Sequence, residues 1–120
     1  MTALPHFDAA AISAVVDMDS AIKALKEAFK DLGKLHPRTQ VSLGTTDDLL
    51  LMPAVTSMGI GIKTVTVISD NPGKGLPLIH AHYLLCDRDT GRPQATFDGS
   101  ALTALRTPAA SGVATEMLAP

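Results

Sequence analysis

An uninterrupted succession of strand-like segments in the middle of the chain most constrains its fold. Between residues 38 and 97, short stretches rich in Val, Ile, Leu and Thr are separated by turns containing Gly, Pro or Asp, with no helical periodicity between them. Parallel strands need long crossover connections, which are usually helices. The order of segments therefore predicts an α+β fold, an antiparallel sheet with helices packed on it, and no doubly wound parallel sheet.

Alternation of apolar and polar residues, together with turn chemistry, sets the expected strands. A short strand is predicted around Phe7, and Pro53 is expected to end the second of the longer strands. Gly59 and Gly61 are expected to mark a turn, and Asp98–Gly99 another. The longer strands are predicted at Arg38–Thr45, Leu49–Met52, Ile62–Ile68, Leu78–Cys86 and Arg92–Phe97.

Capping residues predict where the helices begin. Asp8 is expected to cap a short helix that runs through Val16, and Asp17 to cap a second helix that ends at Gly33. The apolar residues of the second helix recur at helical spacing, at Ile22, Leu25, Phe29 and Leu32. A last helix is predicted from a Ser100 cap; Pro108 either kinks it or starts a further helix.

Composition narrows the possible partners. The 120 residues predict one domain, and the net charge of −2 with scattered Lys and Arg argues against nucleic acid. The single cysteine, Cys86, cannot form an internal disulfide and is expected to be an inert buried thiol. No signal peptide and no run of 18 apolar residues is present, which predicts a cytoplasmic protein without a membrane helix.

Three cationic residues are candidates for binding an anion. Lys63 lies within an apolar strand on the same face as Val65 and Val67, where a buried ammonium would need an anionic partner. The alternative is that this face is solvated. Arg38 and Arg106 each offer a planar guanidinium that can grip a carboxylate with two hydrogen bonds, although either would also suit a surface.

Two weaker patterns point to other kinds of site. His80 and His82 share one strand face, but no carboxylate at a suitable spacing completes a metal site, so none is predicted. Their alternative roles are a polar sheet face or the wall of a ligand cavity. Gly59-Ile60-Gly61 lacks the third glycine and the following helix of a nucleotide-binding loop, and is rejected as one.

Several short segments follow one another in a characteristic order along the chain. The most specific is the Leu-Thr-Ala-Leu-Arg-Thr element at 102–107, which is followed by Ala109-Ala110-Ser111. The others are Leu51-Met52-Pro53-Ala54, Gly61-Ile62-Lys63, Asn71-Pro72 with Gly75-Leu76-Pro77, and Asp89-Thr90-Gly91. In this order they resemble the ornithine cyclodeaminase/mu-crystallin family from about Phe7 onward.

The resemblance implies that residues 1–120 form a single substrate-binding and dimerisation domain. Its sheet would be an open half-barrel that pairs with the sheet of a second subunit. A Rossmann-type domain binding NAD or NADP would follow residue 120 and is absent from this chain. By position, Arg38, Lys63 and Arg106 would hold the carboxylate of a small amino, imino or keto acid. Lys63 would also stabilise charge or pass a proton, and Arg106 with Thr107 would approach the cofactor phosphates.

One position departs from the family pattern. Cyclodeaminase-type members carry a glutamate just before Leu-Met-Pro, where this chain has Leu50, which cannot activate water. An NAD(P)-dependent amino-acid dehydrogenase or imine reductase is therefore expected rather than an ornithine cyclodeaminase, with the isolated chain inactive. The alternatives are a stand-alone module that binds small carboxylates and a structural dimerisation domain.

Overall fold

The structure, a computed structural model, describes residues 3–30 and 36–118, apart from the side chains of Phe29, Val113 and residues 115–118. The described part is α+β, as the sequence predicts. The strands are β1 (His6–Phe7), β2 (Thr39–Ser42), β3 (Asp48–Thr56), β4 (Gly59–Val67), β5 (Ile79–Cys86) and β6 (Pro93–Asp98). The helices are α1 (Ala9–Val15), α2 (Met18–Lys30) and α3 (Gly99–Leu118), and a single 3-10 turn lies at Pro72–Lys74.

The sheet is open and has the strand order β1-β6-β5-β4-β3-β2. Strands β2 to β6 form the expected antiparallel meander. One edge makes the sheet mixed, because β1 pairs with β6 in parallel, with His6 opposite Thr96. The chain between β1 and the meander passes through two helices, and a connection of that length permits parallel pairing where a hairpin does not.

Aspartate side chains cap all three helices. Asp8 Oδ1 accepts from the Ala11 amide at 2.8 Å and Asp17 Oδ1 from the Ser20 amide at 2.8 Å, as predicted. The predicted Ser100 cap is wrong, because α3 begins at Gly99 and Asp98 Oδ1 accepts from the Ala101 amide at 3.1 Å. Of the two alternatives at Pro108, a second helix start is wrong, because α3 continues through the proline. The predicted end of α2 at Gly33, like Leu32, falls outside the described residues.

Two expectations about β3 and β4 are wrong for reasons of pairing. β3 continues past Pro53 to Thr56, because the ladder with β2 ends at Leu51 and the proline amide is not needed on that side. The turn between β3 and β4 is Ser57–Met58, which leaves Gly59 and Gly61 inside β4.

The helices cover one face of the sheet. Cross-strand neighbours share a face, so Lys63 lies beside Met52 on β3 and Tyr83 on β5. α3 packs closely on this face, since a Cβ added at Gly99 would lie 2.7 Å from the Ala81 carbonyl carbon. We call it the covered face. The buried core is made of mostly small side chains, namely Ile12, Ala21, Val65, Ala81, Cys86, Ala95 and Ala109. Among the described helices, none is long and apolar enough to cross a membrane.

Candidate functional site

A pocket of about 510 Å³ lies between the covered face of the sheet and helices α2 and α3. Its walls are mainly aliphatic, because α2 turns small and branched apolar residues toward the sheet and α3 does the same. The apolar side chains of the lining are Val16, Ala21, Ala24, Leu25, Met52, Pro53, Ala54, Leu102 and Leu105. The polar groups of the lining are few: Lys63 and Tyr83 from the sheet, and Thr103 and Arg106 from α3.

Lys63 is held by a hydrogen bond to α3. Its Nζ donates to Thr103 Oγ1 at 2.7 Å, and Thr103 Oγ1 donates in turn to the Gly99 carbonyl at 2.9 Å. The hydroxyl proton is thus directed at the helix backbone, and the oxygen lone pairs face the ammonium. Of the two interpretations of the Lys63 face, the covered one is observed.

Arg106 lines the same pocket one helical turn after Thr103, with its side chain exposed. Burial lowers the pKa of Lys63 below its usual value, and the nearby Arg106 guanidinium lowers it further. No aspartate or glutamate is among the described lining residues, and within the described part of the chain neither cation pairs with a carboxylate. The pocket therefore concentrates positive charge in an apolar setting, which favours an anionic ligand.

Arg38 lies outside this pocket lining. It precedes Thr39, which pairs with Leu51, so its backbone leaves β2 at the level of Met52. Met52 is in turn opposite Lys63, and strands are spaced by about 4.8 Å, which places Arg38 two strands and roughly 10 Å from Lys63. Lys63 and Arg106 therefore share the pocket lining, whereas Arg38 is exposed and lies beyond Met52, at the edge of the pocket.

Thr107 is also exposed and is not part of the lining. Successive residues on a helix point about 100° apart, so the side chain of Thr107 leaves α3 in a different direction from that of Arg106. The Thr107 carbonyl accepts from the Ser111 hydroxyl at 3.3 Å.

Sequence reasoning missed Thr103 and Tyr83. Tyr83 packs edge-on against Phe97, with ring centroids 6.2 Å apart, and its hydroxyl lies directly over Gly61, where any added Cβ would overlap it. Burial raises the pKa of the Tyr83 phenol, which keeps it a neutral donor. Gly61 is thus required by a close approach and not by a turn. Tyr83 reaches the pocket because the strand register places it opposite Lys63. No local sequence pattern contains that register, so the sequence alone could not identify Tyr83.

The two histidines lie on the opposite face of the sheet from the pocket. His82 is opposite Thr64, one residue out of step with Lys63, and His80 is opposite Thr66. Both are exposed, which agrees with the polar-face alternative and not with a cavity wall on the covered face. Within residues 3–30 and 36–118, no group of three or more His, Cys, Asp or Glu side chains is arranged to hold a metal ion.

Comparison with known proteins identifies relatives over almost the whole chain. The profile of the ornithine cyclodeaminase/mu-crystallin family matches residues 7–120. Alanine dehydrogenase of Archaeoglobus fulgidus is 39% identical over 111 residues, which cover 90% of this chain and 34% of the relative.

Solved structures agree with the sequence relatives. Δ1-pyrroline-2-carboxylate reductase of Thermococcus litoralis, in complex with NADH and L-proline, matches with a TM-score of 0.83 and 33% identity, over 98% of this chain and 38% of that one. An archaeal alanine dehydrogenase dimer with bound NAD matches with a TM-score of 0.83 and 31% identity, over 98% of this chain and 38% of that one. The chain thus spans little more than a third of the length of these relatives. It belongs to the ornithine cyclodeaminase/mu-crystallin family.

Proposed function

We propose that this chain is the substrate-binding part of an NAD(P)-dependent oxidoreductase that acts at the α-carbon of an amino acid or cyclic imine. The observation that carries the proposal is that two cations, Lys63 and Arg106, line the same aliphatic pocket and that its described lining contains no carboxylate. Such a pocket suits a small molecule with one carboxylate and a short hydrocarbon body. The alanine dehydrogenase and pyrroline-2-carboxylate reductase relatives support this class of substrate.

Each cation has a distinct part in this proposal. Arg106 offers a planar fork for bidentate binding of the carboxylate, and Lys63 offers a point charge from the opposite wall. Arg38, exposed at the pocket edge, would close over the same carboxylate as a third cation. Fixing the carboxylate orients the α-carbon for reaction.

Lys63 is also the proposed catalytic group of this chain. NADH or NADPH would supply a hydride to the imine carbon, which is reduced while the nicotinamide is oxidised. The imine nitrogen must gain a proton for the amine to form. The lowered pKa of Lys63 makes its ammonium a better acid than an ordinary lysine.

The described residues fit only the margin of a dinucleotide site. Phosphates favour free helix N-termini, but the N-terminus of α3 is capped by the Asp98 carboxylate and packed against Ala81. Arg106 and Thr107 are exposed on α3 and are proposed to contact the cofactor from this side. We therefore assign most of the NAD or NADP site to a nucleotide-binding domain that follows residue 120 in the whole protein.

Position 50 favours dehydrogenase or reductase chemistry over ornithine cyclodeamination. Leu50 lies on the covered face opposite Val65, and by the resemblance it stands where cyclodeaminase-type members have a glutamate. A leucine cannot accept a proton from water, and no carboxylate is among the described residues that line the pocket.

We further propose a homodimer formed through the sheet. The contacts between α3 and the sheet described above lie on the covered face, whereas the opposite face presents a set of half-buried aliphatic side chains. These are Leu49, Leu51, Ile60, Ile62 and Leu84. The archaeal alanine dehydrogenase relative is a dimer, which supports a dimeric assembly, and the choice of this face rests on its aliphatic side chains. Ile62→Lys should yield a monomer in sedimentation velocity, whereas Met58→Lys at the exposed turn should leave the dimer intact.

The test of function uses the whole protein and two candidate reactions. NADH and NADPH oxidation should be followed with Δ1-pyrroline-2-carboxylate and with pyruvate plus ammonium, and L-ornithine deamination should be assayed in parallel. We expect activity with Δ1-pyrroline-2-carboxylate or with pyruvate plus ammonium, and no activity with L-ornithine. If the protein binds small carboxylates but does not oxidise NADH or NADPH, it is a binding module. If it forms dimers but binds no carboxylate, it is a structural domain. A cytoplasmic location stays a prediction, which cell fractionation tests.

A further inference from the structure

We infer that Thr103 is a positioning residue that holds the Lys63 ammonium in the orientation needed to receive a carboxylate. The inference rests on the proposed function for the identity of the ligand, but the contact itself is independent of it. Thr103 lies one helical turn before Arg106, so α3 presents a hydroxyl and a guanidinium on the same side of the pocket.

The direction of the hydrogen bonds carries the argument. The Thr103 hydroxyl has a single proton, and it goes to the Gly99 carbonyl at 2.9 Å. The oxygen can then only accept from Lys63, which it does at 2.7 Å. One of the three N–H donors of the ammonium is satisfied in this way, and two remain for a ligand.

The electrostatic setting shows why such an anchor is needed. Arg106 and the neutral Tyr83 phenol are the titratable groups that share the pocket lining with Lys63, and neither attracts an ammonium as a carboxylate would. Within the described residues, Thr103 is the sole hydrogen-bond acceptor for Lys63. Without it, a flexible four-carbon side chain that is repelled by a guanidinium would turn toward solvent.

Two substitutions separate the hydroxyl from the shape of the side chain. Thr103→Val keeps the branched shape and removes the acceptor, whereas Thr103→Ser keeps the acceptor. The Lys63 pKa should be measured from the 13Cε shift of the 13C-lysine-labelled chain, with Lys63→Arg to assign the signal. Binding of L-proline and L-alanine should be measured by titration calorimetry on the wild type, Thr103→Val and Thr103→Ser.

The valine variant should lower the Lys63 pKa by about half a pH unit or more, because an acceptor on a charged donor stabilises the charged form. Its affinity for the amino-acid probe should fall by roughly fivefold or more, a loss of about 1 kcal/mol. The serine variant should stay within about twofold of the wild type in affinity. A merely structural role of Thr103 would alter thermal stability but not the lysine titration.

The outcomes distinguish the two proposals. If the valine variant is folded by circular dichroism and its Lys63 titrates as in the wild type, the positioning role is overturned, whatever the ligand does. If serine behaves like valine, the role is also overturned. If the valine variant lowers the pKa but the wild-type chain binds neither amino acid, the positioning role stands and the proposed substrate class is wrong.

Discussion

Replacing Lys63 by methionine separates the role of its charge in ligand binding from its role in the fold. The thioether has nearly the same length as the lysine stem and suits the aliphatic pocket, so the change removes the charge and keeps the packing. Lys63 makes one hydrogen bond to Thr103 and faces the Arg106 guanidinium. We therefore expect Lys63→Met to weaken carboxylate binding strongly and to alter stability little.

The magnitudes follow from these contacts. A hydrogen bond to a charged group contributes about 1.5–3 kcal/mol, and Arg106 remains to hold the anion, so we expect the lower end, roughly a tenfold loss of affinity. The free energy of unfolding loses about 1.5 kcal/mol from the Thr103 bond, the lower end of the same range because Lys63 is only half-buried. It regains a similar amount, about 1 kcal/mol, from relieved repulsion and apolar burial. The net change should stay within about 1 kcal/mol, or roughly 5 °C in Tm.

The assay is titration calorimetry with L-proline and L-alanine, alongside urea denaturation. Lys74→Met is the matched control, because Lys74 is exposed in the 3-10 turn and outside the pocket lining, and it should change neither quantity. A Lys63→Met chain that binds as tightly as the wild type would refute the cationic site. A loss of several kcal/mol in unfolding free energy would instead show that Lys63 mainly supports the fold.

Three further predictions concern pH, packing and capping. Because burial and the neighbouring guanidinium lower the pKa of Lys63, carboxylate affinity should decline as pH rises through that lowered value, below 10.5. The contribution of Lys63 to the stability of the free chain has the opposite sign, and should rise between the lowered pKa and the unfolded value near 10.5. Both trends should be absent in Lys63→Met. Gly61→Ala should displace the Tyr83 ring and cost about 1–3 kcal/mol in urea denaturation, whereas Gly73→Ala, whose Cβ meets nothing within 4 Å, should stay within about 0.5 kcal/mol. Asp8→Ala should cost about 1 kcal/mol by the same assay, and Asp8→Asn, which also caps, should recover most of it.

Local chemistry was sufficient to predict most helices and strands of this chain, although not all of their ends. The Asp8 and Asp17 caps were predictable because an N-cap acts on amides two or three residues away. The meander was predictable because each turn and each alternation is contained within a short segment. The α+β class follows from these, and the motif at 102–107 pointed to the family that the comparisons show.

Pairing between distant segments decided the rest. The parallel addition of β1, the passage of β3 through Pro53 and the approach of Tyr83 to Gly61 all depend on register across the sheet. A strand carries no local record of which residue will lie opposite it, because register is set by burial of a whole face.

The same reason limits what the sequence determined about the site. It marked Arg38, Lys63 and Arg106 as cations of suitable type, but α3 had to pack on the covered face before Lys63 and Arg106 shared a pocket. That packing also brought Thr103 to the ammonium and left Arg38 at the edge. The sequence determined the chemical groups, whereas tertiary packing decided which of them meet, because the distance between side chains far apart in sequence depends on the whole sheet.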